Sequence, residues 1–115
     1  MKFVITLIFL ALPVISQTHA SDELPQNTEK KVAPVIIDVR TISEWDQGHH
    51  PEAKHIEWQN ILEGVNALGV QKNTSIILYC RSGNRAAKAM RLLQAEGYTN
   101  VHNGMNLEKL TKYLQ

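Results

Sequence analysis

Cys80 is the residue of this chain whose type and setting are best suited to chemistry, and it is the only cysteine among the 115 residues. It follows the predicted strand at residues 75–79 and precedes the Gly-containing segment 81–85, which leads into a predicted helix. A loop that enters a helix can turn backbone N–H groups toward an anion, at the positive end of the helix dipole. The two arginines of the segment add positive charge. These features favour the thiolate, so we predict that Cys80 is an accessible nucleophile and not a structural cysteine.

The same surroundings would stabilise the terminal sulfur of a persulfide, which is also an anion. The candidate ligands of a bound anion are the five residues after the cysteine: Arg81, Ser82, Gly83, Asn84 and Arg85. Gly83 permits a positive φ or a close approach of the backbone. The Ser82 hydroxyl is expected to stabilise the loop or the persulfide. Asn84 can either adopt a left-handed backbone or donate a hydrogen bond to the anion, and both roles stay open.

The elements that position this segment alternate along the chain. Strands are predicted at residues 35–39, 54–57, 75–79 and 99–102, the last one broken by Gly104, and helices at 42–47, 60–68, 85–96 and 106–114. Such alternation predicts an α/β fold with a small parallel sheet covered by helices on both faces. Cys80 then lies at the carboxyl end of a buried strand, which is the edge where open α/β sheets bind ligands.

The beginning of the chain has the layout of an export signal. Residues 1–20 contain a basic start, an apolar run at 3–15 and small residues before Ser21, which predicts a cleaved signal peptide and a periplasmic protein. An uncleaved membrane anchor is less well supported, because the apolar run is shorter than the ~20 residues that a spanning helix needs. Residues 21–33 are predicted to be a flexible polar lead-in, and 34–115 one domain.

Charge and composition narrow the possible partners. The 12 lysines and arginines are dispersed and nearly balanced by 11 acidic residues, so no strong field is present to attract nucleic acid or an anionic membrane. We predict a monomer that has no nucleic-acid partner and no membrane association after signal cleavage. His49, His50 and His55 fall on both sides of a Pro-containing loop without a second cysteine, and no metal site is predicted. Asp38, Arg40 and Glu44 are expected to form charge pairs and caps that hold a turn, and not an acid/base set.

Two segments resemble the motifs of one family. The residues from Cys80 to Ala86, Cys-Arg-Ser-Gly-Asn-Arg-Ala, resemble the active-site loop of rhodanese domains, and Asp-Val-Arg at 38–40, Glu-Trp at 44–45 and Gly-His at 48–49 resemble a second family signature. The resemblance extends from Val35 to about Leu114. The family usually has an aliphatic residue and a glycine where this chain has His50 and Glu52, a departure that bears on local loop geometry and not on the cysteine chemistry.

The resemblance implies a rhodanese-like fold and a thiosulfate sulfurtransferase that needs no cofactor. Thiosulfate or a similar donor would leave its outer sulfur on Cys80 as a persulfide, and cyanide or a thiol would then accept it. An exported single-domain chain looks most like the periplasmic phage-shock type of rhodanese. A related chemistry, that of cysteine phosphatases and arsenate reductases, is disfavoured because Ala86 stands where their oxyanion-binding arginine would be. The alternative function is a non-catalytic sulfur-carrier or partner-binding module.

Overall fold

The computed structural model describes residues 32–115. The predicted signal peptide and most of the predicted lead-in lie outside the described residues. The strands are β1 (Val35–Asp38), β2 (Lys54–His55), β3 (Ile76–Cys80) and β4 (Val101–Asn106), and the α-helices are α1 (Ile42–Asp46), α2 (Ile61–Leu68), α3 (Asn84–Ala95) and α4 (Leu107–Tyr113), with a 3₁₀ helix at Trp58–Asn60. No helix in this part of the chain is long and apolar enough to span a membrane.

All four strands are parallel, in the order β2-β1-β3-β4. β3 is central, and every one of its residues is buried. Its alternate side chains contribute to two separate apolar clusters, Leu78 to one and Ile77 to the other. Such a strand can exist only if both faces of the sheet are covered.

Helices cover both faces of the sheet. Helices α2 and α3 pack on one face through Val65, Ala89 and other apolar side chains, in a cluster that also contains Cys80. Helix α4 packs on the opposite face, where Leu110 joins the cluster that contains Tyr79. The predicted parallel α/β sheet with helices on both faces is therefore confirmed.

The end of β4 differs from the prediction. We expected a strand at residues 99–102 with a break at Gly104, but β4 runs through Gly104 to Asn106. A Cβ atom on this glycine would lie 2.9 Å from Cγ2 of Ile77, so the glycine permits close packing and does not end the strand. The register between β3 and β4 shifts at this point: Leu78 faces Asn103, whereas Cys80 faces Asn106. The shift places an extra β4 residue beside the cysteine.

Candidate active site

Cys80 is the last residue of β3, and the following turn leads directly into α3. The backbone N–H of Gly83 donates a hydrogen bond to the Cys80 sulfur at 3.0 Å. Gly83 is the N-cap of α3 and has a left-handed backbone (φ +94°), a conformation that glycine adopts without a Cβ penalty. The chain therefore brings the sulfur to the positive end of a 12-residue helix and turns a backbone N–H toward it.

The sulfur is more enclosed than the sequence suggested. Only 2% of Cys80 is exposed, and the residue belongs to the apolar cluster under α2 and α3. The prediction of an accessible nucleophile is wrong in this respect. The reason is that the turn after β3 folds back over the strand end, so that Gly83, itself buried, covers the sulfur to which it donates.

Two residues of β4 support the glycine, and sequence reasoning missed both. The Asn103 side chain donates from Nδ2 to the Gly83 carbonyl at 3.0 Å, and its Oδ1 accepts from the Met105 N–H at 2.9 Å. Met105 has a positive φ of 70°, and a Cβ on Gly83 would lie 2.8 Å from the Met105 sulfur. The signal that could have revealed them is the Asn-Gly pair within a strand that leads directly into a helix.

Arg85 is held by a carboxylate from another part of the chain. Its Nη1 and Nη2 donate to Glu44 Oε1 and Oε2 at 2.6 and 2.9 Å, a bidentate pair that is about one-quarter exposed (27% and 25%). Glu44 is also part of the capping box of α1 with Thr41. Hydrogen bonds from Arg85, and then from Thr41, lower the pKa of Glu44 to about 2, and the bonds to Glu44 raise the pKa of Arg85.

A second ion pair lies at the end of β1. Asp38 is fully buried, and its Oδ1 accepts from the backbone N–H and from Nε of Arg40, both at 2.9 Å. Arg40 Nη2 donates to Asp38 Oδ2 at 2.6 Å and to the Gly48 carbonyl at 2.7 Å. The hydrogen bonds to Asp38 raise the pKa of Arg40. As predicted, these charges hold a turn: Asp38 and Arg40 tie α1 and its following loop to the end of β1.

The loop at His50 and Glu52 forms a tight turn. The N–H of Ala53 donates to the His50 carbonyl at 3.0 Å, and the N–H of Glu52 donates to His50 Nδ1 at 3.1 Å. The backbone N–H of His50 donates to the Tyr79 hydroxyl at 3.0 Å. Burial raises the pKa of Tyr79 to about 12. The imidazole of His50 thus satisfies a turn N–H, which explains how this chain forms the loop with its departures from the family pattern.

The other histidines of this region make aromatic and backbone contacts. The His49 ring is stacked on Trp45 with centroids 3.3 Å apart, and His55 Nε2 donates to the Arg40 carbonyl at 2.7 Å. In residues 32–115 no three histidine, cysteine or acidic side chains come together in a group that could hold a metal ion.

The structure brings some of the predicted anion ligands to the sulfur and leaves others at the surface. Gly83 touches the sulfur, whereas Arg81, Ser82 and Asn84 are exposed on the outside of the turn. The Asn84 N–H lies 3.5 Å from Ser82 Oγ, at the long limit of a hydrogen bond. Arg81 forms no salt bridge within the described part of the chain.

A cysteine at the carboxyl end of a central parallel strand, under an N–H at a helix N-terminus, characterises enzymes that use a thiolate nucleophile. The family profile "Rhodanese-like domain" matches residues 20–105, and the chain belongs to that family. It is 30% identical over 74 residues to the thiosulfate sulfurtransferase PspE of Escherichia coli, a match that covers 64% of this chain and 71% of the relative. It is also 30% identical over 83 residues to a sulfurtransferase of Allochromatium vinosum, covering 72% and 76%.

A solved structure supports the same assignment. A rhodanese with anions from Escherichia coli superposes with a TM-score of 0.64 at 30% identity, covering 67% of this chain and 91% of that one. The relatives support sulfur transfer as the class of reaction.

Proposed function

We propose that this protein is a thiosulfate sulfurtransferase in which Cys80 carries the transferred sulfur as a persulfide. The observation that carries the proposal is the hydrogen bond from the Gly83 N–H to the Cys80 sulfur at the N-terminus of α3. An N–H in that position stabilises negative charge on the thiolate before the reaction and on the persulfide after it. The choice of donor is supported by the 30% identity to a relative named a thiosulfate sulfurtransferase.

The first half-reaction moves one sulfur atom. The Cys80 thiolate attacks the outer sulfur of thiosulfate, a new S–S bond forms, and the bond to the sulfonate sulfur breaks. Sulfite leaves with the bonding electron pair, so that one thiolate and one thiosulfate dianion become one persulfide anion and one sulfite dianion. In the second half-reaction cyanide or a thiolate attacks the outer persulfide sulfur, and the Cys80 thiolate is restored.

The remaining loop residues supply the setting for the donor. Arg81 contributes an exposed positive charge, and Ser82 and Asn84 offer hydrogen-bonding side chains on the same turn. Arg85 contributes a guanidinium whose Nη1 and Nη2 are already bound to Glu44. A guanidinium bound in this way is poorly placed for bidentate capture of a phosphate, and this supports sulfur transfer over phosphatase chemistry.

Thiocyanate formation from thiosulfate and cyanide tests the proposal directly. The parent protein should turn over, and Cys80→Ser should be inactive while keeping its far-UV circular dichroism spectrum, because a serine hydroxyl is not ionised at neutral pH. Intact-mass measurement after thiosulfate alone should find one added sulfur on the parent and none on the variant. A parent that gains the sulfur but produces no thiocyanate would support the carrier alternative. Turnover by the serine variant within about tenfold of the parent would remove Cys80 from the mechanism.

We also propose that the protein acts in the periplasm. The support is the pattern of residues 1–20, with its basic start, apolar run and small residues before Ser21. The mass of the protein recovered from a periplasmic extract should correspond to a chain that begins at or near Ser21. A mass that includes residues 1–20 would contradict cleavage.

A further inference from the structure

The ion pair between Glu44 and Arg85 involves the first turn of the helix that follows Cys80. Arg85 is the second residue of α3, and the N-cap of the same helix donates to the Cys80 sulfur. The guanidinium is therefore carried on the helical turn that covers the nucleophile. The hydrogen bonds to Glu44 raise the pKa of Arg85, so the guanidinium stays charged. Arg85 follows Gly83, the donor to the sulfur, by only two residues, so a change in the charge of the pair acts on an anion at this turn through the Coulomb interaction.

Glu44 is built to remain in this position as an anion. Its carboxylate accepts two hydrogen bonds from Arg85, and Oε1 also accepts from the hydroxyl of Thr41 at 3.1 Å. The Glu44 N–H donates to Thr41 Oγ1 at 3.3 Å, which ties the side chain to the start of α1. The carboxylate is thus held from both sides, and its negative charge stays beside the arginine at every pH at which the enzyme would work.

This fixed charge has a consequence for the donor. An arginine without a counter-ion would attract a dianion more strongly than a monoanion, because the Coulomb energy scales with the charge of the donor. Glu44 offsets that attraction. Arg81, which has no salt bridge within residues 32–115, then contributes positive charge that no carboxylate offsets.

We infer that Glu44 is a specificity-determining residue whose charge limits the preference for dianionic thiosulfate over monoanionic sulfur donors, such as organic thiosulfonates. The inference rests on the proposed sulfur transfer. The two donor classes undergo the same step: the thiolate takes the outer sulfur, and either sulfite or an organic sulfinate leaves with the bonding electrons. The two donors also differ in the bulk and basicity of the leaving group, but a change at residue 44 leaves those differences as they are, so the response of the ratio reports the effect of charge.

The test compares kcat/KM for thiosulfate and for benzenethiosulfonate, with cyanide as acceptor. In Glu44→Gln the ratio of thiosulfate to thiosulfonate should rise roughly threefold to tenfold, the size expected for removing one unit charge near a partly hydrated site. The rise should come from a lower KM for thiosulfate and should shrink as salt is added. Glu44→Asp keeps the charge, so its ratio should stay within about twofold of the parent even if kcat falls.

Two further variants separate charge from packing. Glu44→Ala removes the charge together with the contacts to Arg85, and it should shift the ratio in the same direction as Glu44→Gln. It also provides the charge test if the glutamine variant fails to fold. Glu108→Gln removes a carboxylate that pairs with Lys112 on α4, and its ratio should equal that of the parent.

The outcomes distinguish the inference from the proposed function. An unchanged ratio in both Glu44→Gln and Glu44→Ala, or an equal shift in Glu44→Asp, would overturn the charge role of Glu44 while sulfur transfer stands. A parent protein that turns over neither donor would instead refute the proposed function itself.

Discussion

Two arginine–carboxylate pairs lie near the carboxyl edge of the sheet, and they differ in burial and in sequence distance. Asp38 and Arg40 are two residues apart, and the carboxylate is fully buried. Glu44 and Arg85 come from separate parts of the chain, and both side chains are about one-quarter exposed. We therefore expect different roles for the two pairs. The buried pair maintains the structure of this edge of the sheet, and the exposed pair sets the local charge near the bound donor.

The largest predicted difference between the two pairs is the loss of stability when the arginine of each pair is removed. Arg40→Ala leaves the buried carboxylate of Asp38 without its main partner, and it should lower the free energy of unfolding by about 3 kcal/mol or more. Arg85→Ala leaves Glu44 partly hydrated and still bonded to Thr41, and it should cost at most about 1 kcal/mol. Urea denaturation followed by circular dichroism measures both values. Equal losses would show that the two pairs are equivalent in stability.

The order should reverse for activity: changes at the exposed pair should affect the KM for thiosulfate more than changes at the buried pair. Arg85→Ala should raise the KM for thiosulfate about tenfold, because it removes one positive charge and leaves the Glu44 carboxylate without its partner near the anionic donor. Arg81→Ala should have the same effect to a smaller degree. Arg40→Lys, which retains the charge of the buried pair, should leave the KM unchanged despite lower stability. If Arg81→Ala and Arg85→Ala both leave the rate at low thiosulfate unchanged, backbone N–H groups alone bind the anion.

The sequence predicted those features that depend on local order. The parallel sheet and the place of Cys80 at a strand end follow from the alternation of apolar runs and helical periods. The capping box of Thr41 and Glu44 depends on residues three apart, and it is present in the structure. The pairing of Asp38 with Arg40 is equally local, so a turn-holding role could be predicted from their spacing.

The features that were missed depend on distant parts of the chain. The pairing of Glu44 with Arg85 spans 41 residues and requires α1 and α3 to meet at one edge. The contacts of Asn103 and Met105 with Gly83 depend on the irregular register between β3 and β4. The burial of Cys80 depends on how the turn folds over the strand end. None of these has a periodic signal, because each is set by tertiary packing.

A third prediction concerns Tyr79, which lies beside the buried pair, with the Arg40 guanidinium 5.5 Å from its ring centre. Tyr79→Phe removes the hydroxyl that accepts the His50 N–H and should cost about 1 kcal/mol at neutral pH.

Burial raises the pKa of Tyr79 from 10.0 to about 12, so the folded protein retains the proton to a higher pH than the unfolded chain does. The stability linked to this group is therefore complete below pH 10 and is lost as the pH rises through 12. The stability advantage of the parent over the phenylalanine variant should shrink across that range. An advantage that stays constant to pH 12 would contradict the raised pKa.

The stability that the pair of Glu44 and Arg85 contributes should change at low pH, and this is the smallest effect that we predict. Its hydrogen bonds lower the pKa of Glu44 from 4.5 to about 2, so the folded protein releases this proton more readily than the unfolded chain does. The resulting stability is present above pH 4.5 and is lost as the pH falls through 2. Because the pair is one-quarter exposed, solvent screening limits its contribution to about 1 kcal/mol or less.

The difference in unfolding free energy between the parent and Glu44→Gln should therefore be nearly constant from pH 7 to pH 5 and should decrease below pH 4.5. Glu108→Gln, which removes the more exposed carboxylate of the Lys112 pair, is the matched control and should show a weaker dependence. A difference that does not change between pH 5 and pH 2.5 would mean that Arg85 does not hold Glu44 in the ionised form.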